Sequence, residues 1–495
     1  MLLMGKKKEF DPEVPAEKLA DDGSRRLLIG FAAVLFLAGF VVALIAVLYR
    51  PERIILVGTD PRETAWLTER LKPFADQHHA NLKLVPYRGV AQFDSLWAAE
   101  GKKILLAEVP FERMAALATQ NQVVPLSRLK GVGEVKEYLS PYHEAASGPA
   151  NIAGRSYYVP SRLTTLCLAY SKARVADAYA HASEVRSLVE GWLREANGTG
   201  LPADYRLEED PADWDSYDLL LVAAYWANQP FIDGTAPRVA HAVAPSGALA
   251  FDLAARAYSY GGQVDEVLAL DGFGVRDALA WESLWFEHGL YEKDMLEAHW
   301  TPDDIAREVA AGRVWLATLE PSTVLRLHGL KADSASAFQQ VHAADIGLAR
   351  MPRGVSLELK NKFPQRTGDP WSARSGYWWG VPAKSPDPRL AVDVIGAFTG
   401  PEFQADAVQM LGWMPTRADL VDGLGNIFTD KDEYDLARRA ARQLYTYGRP
   451  LPNSPRWPQA SEAFARAWNE ACVNRHERAP LALAETLRQS LSAAR

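Results

Sequence analysis

The longest apolar run of the chain lies near its start and ends at about residue 50. Residues 27–49 read "LLIGFAAVLFLAGFVVALIAVLY" and carry no charged side chain. In a helix, at about 1.5 Å per residue, this length spans the roughly 30 Å hydrocarbon core of a bilayer. The run therefore predicts a transmembrane helix. A cleaved signal peptide is the alternative, but the run exceeds a usual signal core and no small-residue cleavage motif follows it, which favours an uncleaved anchor.

Charged residues around this run predict its orientation. Three basic residues follow it in a mixture with acidic ones, whereas six precede it: Lys6, Lys7, Lys8, Lys18, Arg25 and Arg26. Positive charge near a membrane span favours the cytoplasmic side. We therefore expect residues 1–26 in the cytoplasm and the chain from about Pro51 onward in the periplasm or outside the cell.

After the apolar run, short hydrophobic stretches alternate with amphipathic ones. Strands are predicted at 53–60, 81–87 and 104–110, and helices at 61–80, 93–103 and 111–121. Alternation of this kind is typical of an α/β layer structure with a mainly parallel sheet.

The alternation returns in the C-terminal half, with strands predicted at 312–319, 345–352 and 377–385. A helix follows the last of these: Asp387 caps it, Pro388 suits its first turn and Gly400 ends it. Residues 173–299 are predicted to be mostly helical.

Composition excludes several classes of function. The 495 residues carry a formal charge of −8, and their Lys and Arg residues are scattered, which argues against a nucleic-acid partner. The two cysteines, Cys167 and Cys472, would lie outside the cytoplasm, and we expect them to remain unpaired.

Motifs of several common enzyme classes are absent from the sequence. It contains no GxSxG, no GxxxxGK[ST] and no HExxH, and the pair His78–His79 has no third ligand at metal spacing. Carboxylate pairs of glycosidases have no linear signature, so hydrolysis stays open as a minor alternative. We expect a protein that is not an enzyme and that binds no metal or cofactor.

In an open α/β sheet, ligands bind beyond the carboxyl ends of strands. Candidate residues therefore follow predicted strands, and this selects the following segments: Gly58–Asp60, Tyr87–Gly89, Glu108–Phe111, Arg162–Thr165, Glu320–Thr323 and the surroundings of Trp378. The adjacent tryptophans Trp378 and Trp379 would point to opposite faces of a strand, so they cannot share one environment.

Several stretches, taken in order, resemble the extracellular solute-binding proteins of ABC importers, in particular those that bind sugars. Residues 151–175 are similar to the family's Gly-led hairpin and the following strand that ends in Tyr-x-Lys. The segment that begins at Ser375 has a glycine-rich strand entry, a Pro-x-x-Ser end, an Ala-x-x-x-Ile-x-x-Phe helix and a Gly-x-x-Pro-x-Arg turn. At 310–325 the match departs from the family, because Leu316 and Glu320–Ser322 stand where a Met and a Trp are common.

The resemblance covers about residues 52–495 and implies two α/β lobes of the type II periplasmic-binding-protein fold, closing on a ligand. Carried over, lobe I would be 52–165 plus 353–425, and lobe II 166–352 plus 426–495. Stacking rings and directed polar groups in the cleft would bind a sugar. The ligand-binding residues that this implies are Asp60, Tyr87, Arg162, Thr164, Glu320, Tyr377, Trp378 and Trp413.

Within this implied site the role of Arg162 stays open, and the orientation of the adjacent tryptophans is predicted. The fork of Arg162 could bind an anionic ligand, or it could form an ion pair between the lobes. Trp378 is expected near the cleft with Tyr377, while Trp379 packs in the core.

The implied function is a membrane-anchored protein that captures a carbohydrate-like molecule and delivers it to an ABC permease. The alternative is the same fold reused as a scaffold or sensor subunit of an envelope complex, packed against other membrane proteins through residues 27–49. A cleft filled by its own side chains would favour the alternative.

Overall fold

The computed structural model describes residues 30–39, 51–229, 238–244, 247–328, 345–357 and 367–470. The chain forms two units, one of residues 1–52 with 75–81 and one of the remainder. In the first unit, residues 30–39 form a helix whose large apolar side chains, such as Phe31 and Phe36, are exposed. No helix within the described ranges is long and apolar enough to cross a membrane. Apart from 30–39, the predicted span 27–49 lies outside the described residues.

Numbered in chain order, the strands are β1 (Arg53–Val57), β2 (Leu82–Pro86), β3 (Ile104–Pro110), β4 (Asn151–Ile152), β5 (Arg155–Ser156), β6 (Tyr158–Thr165), β7 (Cys167–Ser171), β8 (Arg238–Ala240), β9 (Val314–Leu319), β10 (Ile346–Ala349), β11 (Ser372–Gly380) and β12 (Gly448–Pro450).

The helices are α1 (30–39), α2 (Pro61–Gln77), α3 (Gly89–Glu100), α4 (Phe111–Thr119), α5 (Val135–Leu139), α6 (Glu144–Ser147), α7 (Lys172–His181), α8 (Arg186–Asn197), α9 (Ser216–Ala227), α10 (Gly247–Ser259), α11 (Val264–Ala269), α12 (Phe273–Glu287), α13 (Lys293–Glu297), α14 (Pro302–Ala310), α15 (Pro321–Leu327), α16 (Pro388–Thr399), α17 (Pro401–Leu411), α18 (Ala418–Asp422), α19 (Leu424–Ile427), α20 (Lys431–Tyr445) and α21 (Trp457–Trp468).

The first sheet has the order β12-β11-β3-β1-β2, with β6 also paired to β11. Its strands β1, β2 and β3 are parallel and are joined by α2 and α3, as the alternating pattern predicted. The predicted helix caps are also confirmed, since Asp387 accepts a hydrogen bond from the Leu390 amide at the start of α16. β11 runs antiparallel to β3, so that Tyr377 lies opposite Pro110. The first half of β11 therefore lies at the same edge of the sheet as the carboxyl ends of β1, β2 and β3.

Both tryptophans of β11 are core residues, which corrects the prediction for Trp378. Trp378 is 1% exposed, packs against Phe111 of α4 and donates from its indole nitrogen to the Ala146 carbonyl at 2.8 Å. On the other face, Trp379 stacks on Phe398 of α16. Helices cover both faces of this central strand, so neither ring reaches a cleft.

The second sheet has the order β10-β7-β9-β8, and only β8 and β9 in it are parallel. The expectation of mainly parallel strands was thus wrong for this sheet, because hydrophobic periodicity does not encode strand direction. A single residue, Leu166, separates β6 of the first sheet from β7 of the second. The predominantly helical stretch from 173 to 299 is confirmed as α7 to α13, interrupted by β8. The two sheets with their helices form two lobes: the first lobe on the first sheet and the second lobe on the second sheet.

A charged network lies inside the second lobe. Arg256 of α10 pairs with Asp252, Nε to Oδ1 at 2.6 Å, and with Glu282 of α12, Nη1 to Oε1 at 3.2 Å. The carboxylate of Glu282 also accepts a hydrogen bond from the indole nitrogen of Trp468 at 2.8 Å and lies 3.1 Å from the His241 ring. The four charged or titratable side chains are at most 11% exposed. The pairing of Arg256 with Asp252 and Glu282 compensates charges that would otherwise be costly to bury.

Candidate functional site

The loops after the parallel strands of the first lobe meet the start of β11 at one edge of the sheet. Gly58, which follows β1, approaches Tyr377 so closely that a Cβ at this position would overlap the tyrosine ring. The Gly58 amide donates to Glu108 Oε2 at 2.8 Å. Glycine is thus required here because two segments of chain approach without room for a side chain.

Arg162 lies at the centre of this edge, on β6, and its side chain is 12% exposed. Its Nε lies 3.3 Å from Glu108 Oε1, its Nη1 lies 3.7 Å from Glu63 Oε2, and its Nη2 donates to the Gly58 carbonyl. Burial alone would lower the pKa of Arg162, but Glu108 and Glu63 raise it above its usual value. The charge of Arg162 is therefore compensated by two carboxylates of the first lobe, Glu108 and Glu63, although its Nε makes no hydrogen bond within the described residues. An ion pair between the lobes, one of the two alternatives for this residue, is not among these contacts.

Two aromatic rings enclose the same guanidinium. The Arg162 Cζ atom lies 4.4 Å from the centroid of the Tyr377 ring and 4.1 Å from that of the Trp413 ring. Cation–π contacts of this kind are attractive, more so where water is excluded. The rings and the cation form one polar and aromatic cluster.

Glu63 connects this cluster to the start of α2 and to the second lobe. Its amide donates to Asp60 Oδ1 at 2.8 Å and its Oε2 accepts from the Asp60 amide at 3.1 Å, so the pair caps the helix reciprocally. Its Oε1 accepts from the Trp413 indole nitrogen at 2.9 Å and from Arg326 Nη1 at 3.1 Å. Arg326 belongs to α15 of the second lobe, so this carboxylate joins the two lobes.

Glu320 approaches the cluster from the second lobe, at the residue before α15. Burial raises the pKa of its carboxyl group, while the nearby Thr164 hydroxyl and the charges of Arg162 and Arg326 oppose the rise. Four carboxylates thus share this region with two arginines, the carboxylates being Asp60, Glu63, Glu108 and Glu320.

Backbone packing adds a second contact between the lobes beside Glu63. A Cβ on Gly412, which follows α17, would lie 2.9 Å from the Ser322 carbonyl oxygen and 3.3 Å from the Leu325 Cβ. Gly412 has φ +68°, a conformation that favours glycine. The turn before Trp413 therefore lies directly against α15, without room for a side chain.

The structure brings together seven of the eight predicted binding residues: Asp60, Tyr87, Arg162, Thr164, Glu320, Tyr377 and Trp413. Trp378 is not among them, because it lies in the core. Tyr87 is buried beside Tyr377, and its hydroxyl donates to the Glu108 carbonyl.

Three residues of the cluster were not among the predicted binding residues: Glu63, Glu108 and Arg326. The Asp-x-x-Glu spacing of Asp60 and Glu63 is a recognisable capping signal and would have identified Glu63. Glu108 lies in the last part of β3, within a segment that the rule on strand ends had selected. Nothing in the local pattern of α15 indicates that Arg326 meets a residue more than 250 positions earlier in the chain.

The other candidate positions lie elsewhere. His78 and His79 are exposed at the end of the α2 segment, and within the described residues no group of three or more His, Cys, Asp or Glu could hold a metal ion. A further acidic stretch, at 429–435, lies at the start of α20, where Asp430 caps the helix. Cys167 is buried in β7, while Cys472 lies outside the described residues.

Solved structures share this fold at low sequence identity. The maltose-bound MalE3 of T. maritima aligns with a TM-score of 0.64 at 16% identity, covering 90% of this chain and 100% of that one. The GacH receptor of Streptomyces glaucescens, studied with acarbose, aligns with a TM-score of 0.64 at 15% identity, covering 90% and 98%. A solute-binding protein of Thermotoga lettingae bound to α-D-tagatose aligns with a TM-score of 0.62 at 15% identity, covering 88% and 99%. These likenesses establish the two-lobed fold.

Sequence comparison gives the family. Curated proteins show no significant match to the chain. The sequence profile of a bacterial extracellular solute-binding protein family matches residues 69–435, which is more than half of the chain. That range contains β2 to β11 and, with them, Arg162, Glu320, Tyr377 and Trp413. The chain therefore belongs to the bacterial extracellular solute-binding proteins.

Proposed function

We propose that this protein is a membrane-anchored, extracytoplasmic binding protein for a carbohydrate-like molecule, which it delivers to an ABC transporter. The observation that carries the proposal is the cluster around Arg162, in which aromatic rings and polar groups of the first lobe meet Glu320 and Arg326 of the second. Flat C–H faces of sugars pack on rings such as Tyr377 and Trp413, while carboxylates and amides accept and donate to hydroxyl groups. The structural relatives described as bound to maltose and tagatose support this choice of ligand.

Anchoring is supported by the sequence alone. Residues 27–49 are apolar and uncharged, and the basic residues before them favour a cytoplasmic N-terminus. We expect the full chain to resist carbonate extraction from membranes. We also expect protease to cleave the C-terminal part only when it is added on the outer side. Release of the full-length, uncleaved chain by carbonate would contradict anchoring.

Sugar binding is tested on the full chain in nanodiscs by thermal unfolding with maltose, maltotriose, mannobiose, tagatose and glucuronate. A ligand that binds only the folded state, at a concentration of 100 times its Kd, stabilises the folded protein by about 2.7 kcal/mol. We expect at least one compound to raise the Tm by several degrees. No rise with any of these sugars, or with a wider panel of polyols and oligosaccharides, would refute carbohydrate binding.

The site is tested by a matched pair of tyrosine substitutions. Tyr377→Ala removes a ring from the cluster and should weaken sugar affinity at least about tenfold, the effect of losing about 1.4 kcal/mol of contact. Tyr179→Ala removes a ring that is 43% exposed on α7 and should leave the affinity unchanged. Equal affinities of the two variants would move the ligand away from the Arg162 cluster.

A second candidate function is a scaffold or sensor subunit of an envelope complex. One observation favours it: the guanidinium and rings of the cluster are engaged with one another, and α15 lies directly against Gly412. Affinity purification of the full chain separates the two candidates. Recovery of a permease and an ATPase supports uptake, whereas recovery at fixed stoichiometry with other membrane proteins, together with no sugar response, supports the scaffold.

A further inference from the structure

We infer that the two lobes are held together by a contact of the protein's own residues, which keeps the cleft closed without ligand. We call this contact the α15 latch and define it by Arg326, Ser322 and Leu325 of the second lobe and by Glu63 and Gly412 of the first. The inference goes beyond the proposed function, because it requires no sugar and would hold equally for a scaffold.

The first component of the latch is an ion pair in a partly dry setting. Arg326 Nη1 lies 3.1 Å from Glu63 Oε1 and 3.8 Å from Asp60 Oδ2, and the Glu63 side chain is only 9% exposed. The same Glu63 oxygen accepts from the Trp413 indole nitrogen. Because water reaches this carboxylate poorly, its attraction to Arg326 is stronger than that of a surface pair.

The second component is the packing of α15 on the turn after α17. The close approach of Gly412 to Ser322 and Leu325 leaves no space between the two segments. α17 itself belongs to the first lobe, since Phe403 packs against Trp66 of α2 and Phe398 of α16. α15 belongs to the second lobe, since the His328 ring after it lies within hydrogen-bond distance of the Ile346 carbonyl of β10.

The α15 latch also determines which contacts the cluster around Arg162 makes. While α15 is docked, Glu63 faces Arg326, and Glu63 in turn supports Trp413 and Arg162 at the centre of the cluster. In this scheme a ligand reaches the cluster around Arg162 only after α15 has separated from the first lobe. Binding in this scheme is limited by the fraction of molecules whose latch is open.

The test measures the distance between the lobes by pulsed EPR on the full chain in nanodiscs, without ligand. Spin labels are placed at Arg389→Cys on α16 of the first lobe and at Ser187→Cys on α8 of the second. Both positions have accessible side chains. Of the native cysteines, Cys167 can stay because it is buried and does not take up the label. Cys472 is changed to Ser in all labelled variants.

Arg326→Glu places like charges against Glu63 and should shift the ratio of open to closed molecules about tenfold toward open, seen as a second, longer distance population. Glu63→Gln keeps an oxygen acceptor for Trp413 while removing the charge, and should give a smaller shift in the same direction. Arg313→Glu is the control: it makes the same charge change at an exposed arginine, paired with Glu308 inside the second lobe, and should leave the distances as in the wild type.

A wild-type chain that is already mostly open without ligand would overturn the inference. So would distance distributions that are identical in the Arg326→Glu, Glu63→Gln and Arg313→Glu variants. If Arg326→Glu fails to fold, the Glu63→Gln variant alone decides between a latch and no latch. The presence or absence of a sugar response affects none of these outcomes, so failure of the latch and failure of sugar binding are distinguishable.

Discussion

Removal of Arg256 should strongly destabilise the second lobe. In the folded chain its guanidinium neutralises Asp252 and Glu282, whose side chains are 2% and 1% exposed. Arg256→Met fills a similar volume but leaves two buried carboxylates without their cation. Breaking a buried pair in this way costs about 3–5 kcal/mol, because the remaining charge is not compensated.

The pKa of Glu282 reflects the same ion pair together with the other surroundings of this carboxylate. Burial would raise its pKa, but Arg256 and His241 outweigh burial and lower the pKa from 4.5 to about 2. At about 1.36 kcal/mol per pKa unit, this difference corresponds to about 3 kcal/mol. Because the folded-state pKa is depressed, this stability is present above pH 4.5 and is lost as the pH falls toward 2. The pKa shift of Glu282, which is net of burial and includes His241, is thus of the same order as the cost of breaking the pair.

The assay is urea unfolding of the full chain, followed by tryptophan fluorescence at pH 7 and at several pH values down to 3. We expect Arg256→Met to lose about 3 kcal/mol at pH 7 and to show a weaker loss of stability in acid than the wild type. Arg313→Met, at a pair whose arginine is 56% exposed, is the control and should cost less than about 1 kcal/mol. Adding Glu282→Gln to Arg256→Met should recover part of the loss.

A loss below about 1 kcal/mol in Arg256→Met would refute the reasoning, since surface pairs reach that value. An acid dependence equal to that of the wild type would also refute it, because Arg256 is the main source of the depressed pKa of Glu282.

Three further predictions follow from particular positions. Trp378→Ala should lower the free energy of unfolding in urea by about 3–5 kcal/mol without changing the sugar affinity of the folded protein, because the ring lies in the core. A variant that loses sugar affinity but keeps its stability would contradict this. Burial and a neighbouring aspartate raise the pKa of Asp218 to about 7, so the wild type should lose stability as the pH rises from about 4 to 7. Asp218→Asn should flatten this dependence of stability on pH, and equal slopes in the two proteins would contradict the prediction. Gly58→Val should destabilise the folded protein by about 1–3 kcal/mol, because the new side chain overlaps the Tyr377 ring. Gly396→Ala, at an exposed helical site with nothing within 4 Å, should stabilise the protein slightly. Similar Tm changes in the two variants would contradict the packing described at Gly58.

Local chemistry in the sequence determined which elements form and some of their ends, although the strand predicted at 377–385 is observed at Ser372–Gly380. The strand at Ile104–Pro110 and the helix from Pro388 to Thr399 lie where apolar runs, a capping aspartate and a terminal glycine predicted them. The rule that polar groups follow strands also selected most of the cluster, because the carboxyl ends of parallel strands meet at one edge. These features depend on interactions between residues close together in the chain.

Tertiary structure alone decided which of the predicted residues lie close together. Trp378 and Tyr377 are neighbours in sequence, yet helices on both faces of β11 bury Trp378 while Tyr377 faces Arg162. A register shift between these two residues in the pairing of β11 with β6 has no signature in the hydrophobic pattern. The contact of Arg326 with Glu63 likewise depends on how the lobes meet. Such long-range contacts depend on the packing of surfaces that many compatible sequences could form, and for this reason periodicity and local motifs do not encode them.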